Sequence, residues 1–137
     1  NVRGESSLGV FRVRATVWNP QDVSKAAGIE LLVDTGSTYT VLPSSMLSNL
    51  GIKSVRKVNL RLADGNVLEK PLGEVGIEVS GVRATATPVV FGEEDVYLLG
   101  SVTMEQLGLA PDPIQKRLKP AEALLMVALT NLGFKLL

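Results

Sequence analysis

The fold is decided by one stretch, residues 31–43, which reads Leu31-Leu32-Val33-Asp34-Thr35-Gly36-Ser37-Thr38-Tyr39-Thr40-Val41-Leu42-Pro43. An apolar run delivers one carboxylate, that of Asp34, into a short turn, and a second apolar run leads away from it. Burying an isolated carboxylate is costly unless hydrogen bonds or a partner compensate. Hydroxyl and backbone N–H groups of Thr35, Gly36 and Ser37 are suitable donors. The stretch therefore predicts an acid held rigidly at a defined place, although an acid that only caps a structural loop fits the same residues.

Composition limits the chemistry open to the chain. The 137 residues predict a single domain, 1–137, and an apolar fraction of 45% is enough for a real core. Because there is no Cys and no His, disulfides, Cys nucleophiles, Ser-His-Asp triads and the common zinc sites are excluded. Acid–base chemistry is left to carboxylates, Lys and Tyr, and we expect no metal and no organic cofactor.

Charge and hydropathy point to few partners. The formal net charge is zero, so we expect no nucleic-acid partner. No apolar run approaches the ~18 residues that span a bilayer, and no signal-peptide pattern is visible. A cytoplasmic location is the resulting expectation, for a chain that begins at Asn1 without Met and is open to having been trimmed.

The remaining patterns predict many short strands. Apolar–polar alternation and short apolar runs predict strands over residues 8–17, 26–33, 53–63, 66–72, 73–79, 82–91, 96–99 and 114–118. Asp64-Gly65 predicts a hairpin turn. Short helices are predicted after Pro43, ending at Gly51, and over 102–107, with Ser101 as the N-cap and Gly108 as the stop. These elements favour an all-β fold with one or two short helices, a mostly antiparallel barrel or sandwich.

Four features occur in the order found in retropepsin-like (retroviral-type, single-lobe) aspartic proteases, over roughly residues 8–120. They are the Asp34-Thr35-Gly36-Ser37 loop, the Asp64-Gly65 hairpin, the run Tyr97-Leu98-Leu99-Gly100 and the helix after Gly100. The chain resembles the cellular, prokaryotic-type members of that family most. The resemblance implies a closed β barrel of the acid protease fold, with one lobe per chain.

The resemblance also implies roles for residues. Asp34 is expected to be the catalytic acid, with Thr35, Gly36 and Ser37 as the scaffold of its loop. Leu62, Ala63, Asp64, Gly65 and Asn66 correspond to the flap that covers substrate, and Leu98, Leu99 and Gly100 lie behind the active site. Since the chain has one such Asp, a homodimer is implied, with two Asp34 carboxylates activating water to hydrolyse an extended peptide or unfolded protein.

Some positions depart from the family pattern. Where retroviral members commonly carry Ala and then acidic residues, this chain has Ser37, Thr38 and Tyr39, so the viral substrate preference is not transferred. After Gly100 the family often carries Arg and Asp, whereas this chain has Ser101, Val102 and Thr103. A non-catalytic dimerisation or peptide-binding module of the same fold therefore stays as the alternative, followed by an unrelated monomeric β-barrel binding domain.

The C-terminal segment, residues 121–137, is strongly apolar. Such a surface is too large to leave exposed on a monomer. We expect an interface strand here, at least over residues 123–129, since chain ends pair at the interface of retropepsin-like dimers. Contact with a membrane is the less favoured alternative, and residues beyond Thr130 also fit a stub cut from a longer protein.

Overall fold

The computed structural model describes residues 10–122. Within them lie nine strands and two short helices, in the order β1 (Arg12–Asn19), β2 (Asp22–Val33), β3 (Thr40–Pro43), α1 (Ser44–Asn49), β4 (Arg56–Arg61), β5 (Val67–Val79), β6 (Val82–Gly92), β7 (Leu98–Leu99), α2 (Ser101–Leu107), β8 (Leu109–Asp112) and β9 (Arg117–Pro120). This confirms the predicted all-β class with two short helices. No helix among these residues is long and apolar enough to cross a membrane.

The main sheet closes on itself. Its strands follow the order β1-β2-β7-β3-β6-β5-β4, and β1 also pairs with β5, so six strands form a ring from which β4 extends. Most pairs are antiparallel, but β2–β7 and β3–β6 are parallel. Because β7 pairs with β2 on one side and with β3 on the other, the end of β2 and the start of β3 lie close together, and Asp34 directly follows β2. Strands β8 and β9 form a separate two-stranded sheet.

The core fills the inside of this ring. Alternate side chains of a strand point to the same face, and on β5 the inward set is Val75, Ile77 and Val79, each no more than 1% exposed. Leu31 and Leu99 are fully buried in the same cluster, next to the Asp34 loop, and Met104 and Leu107 of α2 pack against it. A second, smaller cluster is formed by Val58, Leu72 and Val90, between β4, β5 and β6.

Trp18 is a packing residue. It is 7% exposed, and its ring covers the backbone at Gly76, where an added Cβ would lie 2.1 Å from the indole. The guanidinium carbon of Arg83 lies 4.6 Å from the ring centroid, a distance at which a cation is attracted to an aromatic face.

Several predicted element boundaries are wrong. The two strands predicted over 66–72 and 73–79 are one strand, β5, which continues through Pro71. Pairing with β6 begins only at Leu72, and the carbonyl of Leu72 accepts from Val55 on the β4 side. Successive residues of a strand point their N–H and C=O groups to opposite sides. Because those of Leu72 point towards β4, the N–H of residue 71 would point away from β4, and a proline is tolerated there.

Two predicted element boundaries after residue 100 are also wrong. Ser101 is the first residue of α2, not its N-cap, and Gly100 takes the cap position. The strand predicted over 114–118 begins only at Arg117. Ile114 is 90% exposed because it lies in a turn in which the Asp112 carboxylate accepts from the N–H groups of Ile114 and Gln115. The predicted interface strand over residues 123–129 lies outside the described residues.

Candidate active site

Asp34 is fixed by backbone contacts on both sides. Its N–H donates to the carbonyl of Leu99 at 3.1 Å, and its own carbonyl accepts from Ser37 at 3.1 Å, which closes a tight turn. The N–H of Gly36 donates to Asp34 Oδ1 at 3.0 Å. A Cβ at residue 36 would lie 3.3 Å from that oxygen, so glycine lets the backbone approach the carboxylate. Of the predicted donors to the carboxylate, the N–H of Gly36 reaches it, whereas the hydroxyl of Ser37 donates to the carbonyl of Tyr39.

The far end of the loop is held by the segment Leu99–Val102. Ser101 and Val102 donate their N–H groups to the carbonyls of Ser37 (2.8 Å) and Thr38 (3.0 Å). The first N–H groups of a helix have no partner inside it, and here the Asp34 loop supplies acceptors, so α2 needs no side-chain cap. Gly100 lies against the Tyr39 carbonyl, where a Cβ would come within 2.4 Å of the carbonyl carbon.

Asp34 lines an open cleft of about 620 Å³. Gly36 and Ser37 lie beside Asp34 on one wall, and residues of β4 and the following hairpin form the other. Most of the remaining lining is apolar or aromatic: Tyr39, Val41, Leu60, Leu62, Ala63, Val90 and Leu98. Asp34 and Arg61 are the charged members of the lining. A groove of this kind suits an extended chain with apolar side chains.

The predicted flap is a hairpin, and only the first two of its five predicted residues line the cleft. Leu62 and Ala63 line the cleft, whereas Asp64, Gly65 and Asn66 are not among its lining residues. The Gly65 N–H donates to the Leu62 carbonyl, and Gly65 has a φ of 90°. These features form a type I turn followed by a left-handed glycine. The Asp64 carboxylate accepts from the backbone and side chain of Asn66, which stiffens the tip.

A second, smaller groove lies on the other side of Asp34. It has a volume of about 270 Å³ and is lined by Asp34, Thr35, Val10, Phe11, Val33, Pro111 and Pro113. Thr35 is exposed. Among residues 10–122, Asp34 is the one carboxylate that lines either cavity. Paired carboxylate chemistry therefore needs a second acid from outside the described residues.

The position of this loop in the fold can be compared with known proteins. The model of the aspartyl protease family matches residues 20–105. The chain belongs to the aspartyl protease family. The matched residues include the Asp34 loop, the β4–β5 hairpin and the segment Leu98–Gly100, and they end within α2. A search of curated proteins finds no match for the chain.

The structure also places the remaining predicted site residues. Leu99 is fully buried behind the loop, and Gly100 contacts its far end. Leu98, which was expected behind the site as well, also lines the cleft, because neighbouring residues of a strand face opposite sides. Within residues 10–122, no group of three or more carboxylates is arranged to hold a metal ion.

Sequence reasoning did not identify two groups of residues near the site. Asn59, Leu60 and Arg61 line the cleft from β4, although the alternation over residues 53–63 predicted only a strand. Thr40, Thr87 and Thr103 are fully buried polar residues whose hydroxyls contact one another. They lie 47 and 16 residues apart in the printed sequence, and no local pattern connects residues so far apart.

Proposed function

We propose that the chain is a homodimeric aspartic endopeptidase in which each subunit contributes Asp34. One observation carries the proposal: Asp34, fixed at the end of β2, and Leu62 and Ala63 of the hairpin line the same cleft of about 620 Å³. An acid on one wall and a hairpin on the other fit the hydrolysis of a chain that lies between them. Membership of the aspartyl protease family supports the reaction type.

Two Asp34 carboxylates facing each other would share one proton. Like charges about 3 Å apart do not both ionise easily, so one carboxyl group stays neutral. The ionised member takes a proton from water, whose oxygen attacks the peptide carbonyl carbon, while the neutral member hydrogen-bonds the carbonyl oxygen. A carboxyl proton then passes to the leaving nitrogen, the C–N bond breaks, and the two peptide products are released. Because activity needs the shared proton, it falls as pH rises and that proton is lost. We therefore expect cleavage to be fastest below neutral pH.

The substrate is an extended peptide or an unfolded protein. A chain in extended form is read through its backbone hydrogen bonds and the pockets that take alternate side chains. The apolar lining formed by Val41, Leu60 and Leu98 favours apolar residues next to the cleaved bond. Closure of the hairpin over the peptide excludes water, a gating motion of the kind that lids perform.

The dimer supplies the second acid. The groove beside Asp34 and the exposed Thr35 lie next to the position that a second Asp34 loop would take across a twofold axis. Thr35 then ties the two loops together, as the family resemblance implies. The chain forms one domain in this arrangement.

The test is cleavage of denatured casein between pH 3 and pH 7 by the wild type, by Asp34→Asn and by Asp22→Asn. The substitutions make the same chemical change, but Asp22 is an exposed residue at the start of β2, where its carboxylate accepts from Ser24, an acceptor role that Asn keeps. We expect acid-favoured cleavage by the wild type and by Asp22→Asn. For Asp34→Asn we expect a loss of at least about 10³-fold, the order seen when a member of a catalytic unit is removed.

The outcomes separate the candidate functions. Circular dichroism and sedimentation should show that Asp34→Asn is folded and of the same mass as the wild type. Turnover that persists in Asp34→Asn would contradict the proposal directly. A folded wild-type dimer that cleaves nothing at any of these pH values would instead favour the non-catalytic peptide-binding module.

A further inference from the structure

Three threonine hydroxyls form a buried chain behind the Asp34 loop. The side-chain oxygens of Thr40 and Thr103 lie 2.6 Å apart, and those of Thr87 and Thr103 lie 2.7 Å apart. All three residues have no exposed surface. These distances are typical of O–H···O hydrogen bonds. Buried hydroxyls are costly unless they are paired, so each member depends on the others.

The chain continues into the backbone that holds the loop. Thr40 Oγ1 accepts the N–H of Gly100 at 3.1 Å. Gly100 lies within the segment Leu99–Val102, whose backbone groups bond to Asp34, Ser37 and Thr38. The three threonines belong to β3, β6 and α2. They therefore join the strand that leaves the loop, the helix that supports it and a strand of the ring.

We infer that Thr40, Thr87 and Thr103 are positioning residues that set the place of the Asp34 carboxylate. The inference rests on the proposed function, since it takes Asp34 as the catalytic acid. The hydroxyl chain fixes Gly100, Gly100 fixes the spacing between Leu99 and Ser101, and these residues hold Asp34 and Ser37. None of these three threonines lines the cleft, so their effect on the reaction passes through the loop.

The position of Thr103 at the centre of the chain makes it the most informative residue to change. Thr103→Val keeps the shape of the side chain but removes the hydroxyl, so both Thr40 and Thr87 lose a partner. Thr103→Ser keeps the hydroxyl and removes only a methyl group. If the hydroxyl positions the loop, Ser should restore what Val loses, whereas a role in filling space would give the reverse.

Two further variants serve as controls. Thr85→Val makes the same substitution at an exposed residue of β6, two positions before Thr87. Val79→Ala destabilises the core at a residue that is 1% exposed, on β5 opposite Val82 and Ala15, none of which belongs to the hydroxyl chain. Val79→Ala thus reports what lower stability alone does to the reaction.

The first readout is the split between kcat and KM for denatured casein, at a temperature where every variant is folded. We expect Thr103→Val to lower kcat by roughly 10- to 100-fold, because a misplacement of about 1 Å in a catalytic group costs on the order of 10²-fold. KM should stay within about twofold. Thr103→Ser, Thr85→Val and Val79→Ala should keep kcat within about twofold of the wild type.

The second readout does not depend on activity. Amide hydrogen exchange reports local opening of the backbone, and we expect the N–H groups of Asp34, Gly100 and Ser101 to exchange about tenfold faster in Thr103→Val, as befits a lost buried hydrogen-bond partner. The Ser variant should retain wild-type exchange. Should Thr103→Val not fold, Thr87→Val, at the end of the chain, is expected to give the same changes to a smaller degree.

The two readouts keep the inference and the proposed function apart. Faster exchange together with a lower kcat, both restored by Ser, supports the inference. Unchanged exchange at the three amides overturns it, as does a fall in kcat no larger than that of Val79→Ala. Faster exchange in an enzyme whose wild type cleaves nothing supports the positioning of the loop while it contradicts the proposed peptidase activity.

Discussion

At the scale of single residues, the site depends on backbone atoms that come unusually close to one another. Gly36 approaches the Asp34 carboxylate, and Gly100 approaches the peptide between Tyr39 and Thr40. The identity of Asp34 and its turn could be predicted from the sequence, because an acid between two apolar runs is a local pattern. The reason for Gly100 could not, since its contact joins residues about 60 positions apart.

Gly100→Ala tests this close approach. A Cβ would lie 2.4 Å from the Tyr39 carbonyl carbon and 2.8 Å from the Thr40 nitrogen, so β3 and α2 must move apart. We expect the free energy of unfolding to fall by about 1–3 kcal/mol, as for other overpacked sites, and cleavage to fall with it. Urea unfolding measures the first effect.

Gly28→Ala is the matched control, because nothing lies within 4 Å of a Cβ there. A surface substitution of this kind changes stability by no more than about 0.5 kcal/mol. Equal unfolding midpoints for the two alanine variants would show that the close approach at Gly100 does not affect the free energy of unfolding.

At the scale of elements, the β4–β5 hairpin forms part of the cleft lining. The sequence predicted the hairpin from Asp64-Gly65, and the turn is there. Of the five predicted flap residues, however, two line the cleft and three do not. A turn signal locates a bend in the chain and does not say which side chains face inward. That depends on the twist and pairing of β4 with β5, which are set by the whole sheet.

Ala63→Glu tests whether the hairpin residues that line the cleft, Leu62 and Ala63, form a wall of the binding site. The added carboxylate would face the mostly apolar cleft that contains Asp34, where an unpaired charge opposes a bound apolar chain. We expect kcat/KM for denatured casein to fall by about tenfold or more, which corresponds to about 1.4 kcal/mol. Because Ala63 is exposed, unfolding in urea should be nearly unchanged.

Ala26→Glu makes the same change at an exposed residue of β2, away from the cleft, and should leave kcat/KM at the wild-type value. If both glutamate variants cleave casein as the wild type does, the hairpin at Ala63 takes no part in binding.

At the scale of the whole molecule, the cleft formed by the described residues contains one carboxylate, that of Asp34. The all-β class, most strands and the order of the motifs could be predicted from the sequence because each depends on an alternation or a turn among neighbouring residues. The closure of the ring through β1–β5 pairing and the path of β5 through Pro71 could not, since they depend on contacts between distant residues. The pairing of two Asp34 loops in a dimer belongs to this largest scale and stays a prediction.

The most direct measurement of that pairing is subunit mixing. A fixed amount of wild type is equilibrated with increasing Asp34→Asn, and cleavage of denatured casein is measured at the acid optimum. Random exchange between twofold dimers leaves roughly half of the wild-type chains with a wild-type partner at a 1:1 ratio, and roughly a tenth at 1:9. If each dimer needs both Asp34 carboxylates, cleavage should fall to about those fractions. Equilibration with Asp22→Asn should instead add activity. Cleavage that stays constant as Asp34→Asn is added, under conditions where mass measurements show that subunits exchange, would mean that one Asp34 suffices and would contradict the shared active site.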